Sequence, residues 1–186
     1  MIIVTPFTQT GNVYNSEGVG IANIAIQLYS KPKPDSNYSL LSSSTTNSSG
    51  AYSFSTQLSA NKNDFRIVIG SITVDNPTST DAQSFTQKVL SQSFNSKDYY
   101  RMDANGNSTL SITDIFLVYS KANSNLSAWP NSTPAYRIFK ASDWTPINNG
   151  TTNLTSTYPG LQVLTVDALV SGSTTNFYLV RTGFRQ

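Results

Sequence analysis

The stretch RMDANGNSTLSITD, residues 101 to 114, has the spacing of acids and amides that suits a metal loop. Calcium takes six to eight hard oxygen donors, and a twelve-residue loop delivers them from alternate side chains, one backbone carbonyl and a closing carboxylate. With Asp103 in first place, Asn105 and Asn107 take the third and fifth, Thr109 offers its carbonyl at the seventh, Ser111 stands at the ninth and Asp114 closes at the twelfth. Leu110, at the eighth place, is the apolar anchor toward a core. The sixth place, where the backbone turns sharply and glycine is usual, is Ser108, with Gly106 two residues earlier. Two formal charges facing the ion predict a site weaker than an acidic loop, with a structural role. An Asn/Gly-rich turn capped by Ser111, without metal, is the competing reading of the same residues.

Other chemistry is sparse. The chain has no His and no Cys, which removes the commonest general base, the commonest zinc ligand, thiolate metal sites and disulfides. Glycoside hydrolysis needs two carboxylates flanking one bond, and here a single Glu accompanies scattered Asp residues. Asp98 is expected to cap the short turn before the loop. Trp129, Trp144, Tyr136 and Tyr158 would make either an aromatic platform for sugar rings or, more simply, core and corner packing. The Asn125 to Ser127 and Asn153 to Thr155 triplets arise by chance in so Asn- and Thr-rich a chain. A formal charge of +2, from 12 basic and 10 acidic residues without a basic run, gives no nucleic-acid surface. The expectation is a protein that is not an enzyme.

At 186 residues the chain suits one large domain or two small ones. Its polarity comes mainly from Ser, Thr and Asn, and with Tyr, Phe, Val and Ile between them this mixture favours short strands and polar turns. Ala22, Ile24, Ile26 and Leu28 alternate with Asn23, Ala25, Gln27 and Tyr29, the pattern of a half-buried strand. After the proline-rich KPKPDSN, a turn at Asn47 to Gly50 leads into a strand with Tyr52 and Phe54 on one face. Phe65, Ile67 and Ile69 share one side of the next strand, which breaks at Gly70. These segments predict an antiparallel β-sandwich of about seven short strands over residues 1 to 76. DNPTSTDAQS reads as linker, with residues 77 to 84 joining the units. Residues 85 to 186 are expected to form a small α+β unit: a short helical turn, the loop, a helix with Ile112, Ile115, Phe116 and Tyr119 on its buried face, an irregular stretch from Trp129, and closing strands LQVLTVDAL and TNFYLVRTGF. Ser111 caps the helix while Asp114 reaches back.

The order Gly11, Val13, then GIANIAIQL, then TTNSSGAYSF resembles the transthyretin-like sandwiches known as carboxypeptidase regulatory-like and Cna-B-like domains, over residues 8 to 70. Some relatives carry a Lys to Asn isopeptide bond assisted by a Glu. In this chain no Lys precedes Lys31 and Glu17 lies in a turn, so the crosslink is not expected. The 103 to 114 loop, closed by Asp with the helix running on from it, resembles a dockerin repeat. From YYRMDANGN through DWTPINN to NFYLVRTGF the chain is similar to dockerin-like extracellular modules of Bacteroidota surface proteins. Paired repeats serve cohesin binding, and FKASDWTPINN keeps only Asp143, so cohesin-type recognition is not implied.

The start MIIVTPFTQTGNVY lacks a basic n-region and an apolar h-region, and no apolar run approaches the roughly 20 residues of a membrane span. Either a leader is missing or the protein reaches the exterior as part of a virus particle. Three functions remain open. The first is a structural or adhesive protein on a phage virion surface, in a head, neck or fibre. The second is a module of a secreted bacterial adhesin or filament subunit. The third is a carbohydrate-binding module. Each implies protein partners in a symmetric assembly, as a homo-oligomer, or a host glycan or surface receptor, without membrane insertion.

Overall fold

The computed structural model describes residues 5–70, 72–148 and 163–185. Tyr158, the Asn153 to Thr155 triplet and the start of LQVLTVDAL lie outside them. The protein is a β-rich α+β fold with two sheets, and the chain divides into two compact units. Unit 1 comprises residues 1–72 and 162–178; unit 2 comprises residues 73–161 and 179–186.

Unit 1 is built on alternation. Strand β1 (Phe7–Asn15) buries Phe7, Gln9, Gly11 and Val13, and β2 (Ala25–Pro32) buries Ile26 and Leu28. Strand β3 (Ser39–Thr45) is largely exposed, β4 (Ala51–Thr56) buries Tyr52 and Phe54, and β5 (Asn63–Ile69) buries Phe65, Ile67 and Ile69. A side-chain period of two puts each apolar set on one face, so the two sheets meet through these residues. Phe7 stacks on Phe65 with ring centroids 3.7 Å apart. The turn before β4 is closed by Asn47, whose side-chain oxygen accepts from the Ser49 and Ala51 N–H groups. Gly50 is required there: its φ is +78°, and a Cβ would lie 2.2 Å from the Val13 carbonyl.

Five strands leave β1 and β5 each with an open side, and the C-terminal part of the chain fills both. Strand β7 (Leu164–Val166) pairs antiparallel with β5, while β8 (Ser173–Thr174) runs parallel to β1 and is followed by β9 (Phe177–Arg181) on the same side. The closing strands therefore belong largely to unit 1, not to the second unit as their position suggests. Strand β9 is split, its last three residues lying in unit 2, where β6 (Tyr136–Lys140) pairs with it.

Unit 2 starts earlier than the composition indicates. Residues 79 to 84, expected as linker, are the beginning of helix α1 (Ser79–Ser91), with Thr78 as its cap. The Ser, Thr and Asp that read as loop are cap residues: Thr78 accepts from the Asp81 N–H, and the Asp81 carboxylate accepts from the Thr78 N–H. The same reciprocal pair, Asn95 with Asp98, opens α2 (Ser96–Met102), and Ser111 with Asp114 opens α3 (Ile112–Ala122). Ala82, Phe85, Met102, Ala104, Ile115, Val118 and Trp129 form the core. The stretch expected to be irregular contains β6, buried along YRIF without alternation, and α4 (Ala141–Asn148). Among the described residues no helix is long and apolar enough to cross a membrane.

Asp98 is completely buried, and its carboxylate accepts from Lys88 at 2.7 Å and from Arg101 at 2.5 Å. Burial alone would push its pKa up, but the bonds from Lys88, the Asn95 N–H and Arg101 outweigh burial and hold the carboxyl below the usual carboxylate range. A lowered folded-state pKa stabilises the protein above the ordinary carboxylate value, and that contribution disappears as pH falls through the lowered one. Asp98→Asn is expected to cost about 3–5 kcal/mol by removing the charge that the buried Arg101 and the half-buried Lys88 share, and to flatten the acid limb of the stability profile, both measured by denaturant melts against pH.

Candidate metal centre

Helix α2 ends at Asp103 and α3 begins after Ser111, so the loop is clamped between two helix ends. The structure ties Asp103, Asn105, Asn107, Ser111 and Asp114 into one hydrogen-bonded loop, and Thr109 enters it through its N–H. Asp103 is 1% exposed, and its carboxylate oxygens accept from the Asn107 N–H at 3.1 Å and the Ser108 N–H at 2.8 Å. The side-chain oxygen of Asn105 accepts from the Asn107 N–H at 3.0 Å, and that of Asn107 accepts from the Thr109 N–H at 2.8 Å. Asp114, also 1% exposed, closes the circuit: one oxygen accepts from the Ala104 N–H at 3.0 Å, the other from the Ser111 N–H and hydroxyl. Both ends of the loop are thus tied to one carboxylate.

Two buried carboxylates share this small volume. Burial raises the Asp114 carboxyl above its ordinary range, the neighbouring Asp103 charge adds to the effect, and the bonds from Ser111 and Ala104 oppose it. Placing a cation between them would relieve both the burial and the repulsion. Among the described residues no group of three or more His, Cys, Asp and Glu gathers, so an ion at this loop would rely on amide, hydroxyl and carbonyl oxygens beside the two carboxylates. Hard oxygen donors of that kind fit calcium.

The backbone at the sixth place turns as such a loop requires although glycine is absent: Ser108 has φ +64° and Gly106 has φ +69°. Leu110 packs against the unit 2 core as its position in the loop predicts. The helix face does differ from expectation. Ile115 and Val118 are buried, but Ile112 is 67% and Phe116 is 68% exposed. The reason is Asp114: a carboxylate that must face the loop turns its own side of α3 inward, with Ile115 and Val118 beside it, and rotates Ile112 and Phe116 outward.

Sequence reasoning passed over the segment that braces the loop. Asn131 donates its side-chain N–H to the Asn105 carbonyl at 2.8 Å, and Thr133 packs so closely on Gly106 that a Cβ there would lie 2.8 Å from the Thr133 hydroxyl. Adjacent left-handed residues, Asn131 and Ser132, marked this stretch only by composition. The three described aromatics of the expected platform are not at the surface. Trp144 is 1%, Tyr136 6% and Trp129 7% exposed, with Trp144 packed against Tyr100 and Phe139 and Trp129 in the unit 2 core. Asp98 does serve as a cap partner, for α2, as well as holding the ion triad.

Neither protein-family models nor curated proteins give a match to this chain.

Gly106→Ala is expected to cost about 1–3 kcal/mol, from the positive φ and the contact with Thr133, whereas Ser108→Gly is neutral or stabilising by up to about 1 kcal/mol. Urea melts of the two variants check the contrast.

Proposed function

We propose that this chain is a non-enzymatic structural or adhesive protein on the exterior of a large assembly, favoured as a head, neck or fibre protein of a phage that infects Bacteroidota. In this reading unit 1 is a transthyretin-like β-sandwich and unit 2 a dockerin-like module. The observation that carries it is strand β3, an edge whose one strand partner among the described residues is β2. Natural edges are commonly blunted by Lys, Pro, inward charges or bulges; SLLSSST carries no charge and no Pro, and its one irregularity is a register shift against β2 at Leu41. Such an edge suits addition of a strand from a second copy, and repetition of that contact builds symmetric oligomers.

The loop supports an exterior setting. Asp103, Asn105, Asn107, the Thr109 carbonyl, Ser111 and Asp114 would hold calcium, which would neutralise the two buried carboxylates and tie α2 to α3. A donor set with two formal charges belongs with extracellular modules, whose calcium dissociation constants are on the order of 10⁻⁴–10⁻³ M. The same affinity range favours the second reading, a module of a secreted bacterial surface adhesin or filament subunit. A carbohydrate-binding role through Trp129 and Trp144 lacks an exposed ring to stack on.

The melting temperature is expected to fall on adding a chelator and to recover with calcium, by about 2.7 kcal/mol equivalent at a hundredfold excess over the dissociation constant; Asp103→Ala should erase the response, and an unchanged melt rejects a stabilising ion. Light scattering should show assemblies that shift toward monomer in Leu40→Lys, which adds charge to the β3 edge. A stable monomer at high concentration, together with absence of the chain from purified particles and filaments, removes the proposal.

A further inference from the structure

The outward face of the β2 and β5 pair, opposite the unit 1 core, holds a cleft of about 500 Å³ lined by Tyr29, Ser36, Asn37, Tyr38, Arg66 and Val68. Strand register puts Tyr29 beside Arg66 and Gln27 beside Val68, while the loop between β2 and β3 raises Tyr38 at the side. From this arrangement we infer that the cleft is a binding site for a neutral oligosaccharide.

Three features select that ligand class. Size comes first: the volume falls in the range of small-ligand sites, roughly 300–1,000 Å³, and Tyr29 and Val68, beside the Tyr38 ring on which Arg66 stacks, supply apolar area of the kind that packs on the C–H faces of sugar rings. Polarity comes second. Asn37, Ser36, the tyrosine hydroxyls and Gln27, which accepts from the Tyr29 hydroxyl at 3.1 Å, offer paired donors and acceptors without charge, as hydroxyl groups require. Charge comes third. Arg66 is the ion lining the cleft, and Asp167 engages it through two bonds, at 2.5 and 3.0 Å. Nearby Lys31 lies 3.4 Å from Asp64. An anion would therefore find the guanidinium already neutralised, whereas a hydroxylated ring needs no counter-charge.

The cleft is also set before binding. Arg66 stacks 4.0 Å from the Tyr38 ring centroid while Asp167 fixes its other side, so little side-chain freedom remains to be lost when a ligand arrives. Nothing in the metal loop contributes. The inference gives the adhesive reading a ligand and rests on that reading for its setting alone.

The test is nuclear magnetic resonance titration of the full chain with cellohexaose, xylohexaose, laminarihexaose and mannohexaose, with a heparin fragment as the anionic control. At least one neutral probe should shift residues 27–29, 36–38, 66–68 and 167, and heparin should not. Tyr38→Ala is expected to weaken binding about tenfold and Tyr38→Phe, which keeps the ring, by less than about threefold, with melting temperatures unchanged. Should Tyr38→Ala misfold, Asn37→Ala on the exposed loop provides the same comparison. Absence of shifts with every neutral probe at about 10 mM, shifts confined to other residues, preference for heparin, or equal binding by Tyr38→Ala each overturns the assignment. Sugar binding by a monomer that never assembles keeps the cleft and removes the assembly; assembly without sugar binding does the reverse.

Discussion

The chain has 10 acidic residues, and three of them, Asp81, Asp98 and Asp114, are buried at the third position of successive helices, each reaching back to the N–H of its own cap. Most of unit 2 follows from where these carboxylates must point. Each satisfies backbone donors that a helix start leaves without partners, and its negative charge lies at the favourable end of the helix dipole. Each then does a second job. Asp81 also accepts from the Arg185 N–H and so secures the segment after β9, Asp98 gathers Lys88 and Arg101, and Asp114 draws the far end of the 103–114 loop onto its own helix. A buried carboxylate without several donors would be intolerable, so these contacts fix helix rotation more firmly than apolar packing can. That is why Phe116 faces solvent while Asp114 does not.

Unit 1 rests on a different constraint, the demand of buried strands for partners on both sides. Strands β1 and β5 carry the deepest side chains, Phe7, Ile67 and Ile69 among them, and neither can end a sheet without leaving buried N–H and C=O groups unsatisfied. Strands β7, β8 and β9 meet that demand. The open edges fall instead on strands at the periphery, of which β3 is polar and exposed.

Local chemistry was readable from the chain. Alternation located β2, β4 and β5 because half-buried strands impose a period of two, and the run of Asp, Asn and Gly from Asp103 to Asp114 located a loop between two helices because those residues favour turns and caps. What escaped was either ambiguous or distant. Thr78, Ser79, Thr80 and Asp81 serve equally as linker or as helix cap, and only the packing of Phe85 against Met102 and Ile115 decides between them. Residues 136 to 139 show no alternation because all four are buried. The pairing of β7 with β5 joins residues about a hundred positions apart, and no local pattern records it. The Tyr29, Tyr38 and Arg66 cleft was hidden for a related reason: its walls come from the polar phase of strands whose apolar phase drew the attention.

Both units are discontinuous in sequence, since residues 163 to 178 complete the first and residues 179 to 185 the second. Synthesis from the N-terminus delivers those segments after the rest of each unit. Domains commonly fold from the N-terminus as they leave the ribosome, but here β1 and β5 wait with unpaired sides until β7, β8 and β9 have emerged. Emergence of residues 163 to 185, about a hundred positions after β5, is therefore what permits either half to close, and until then the nascent protein carries two exposed strand flanks.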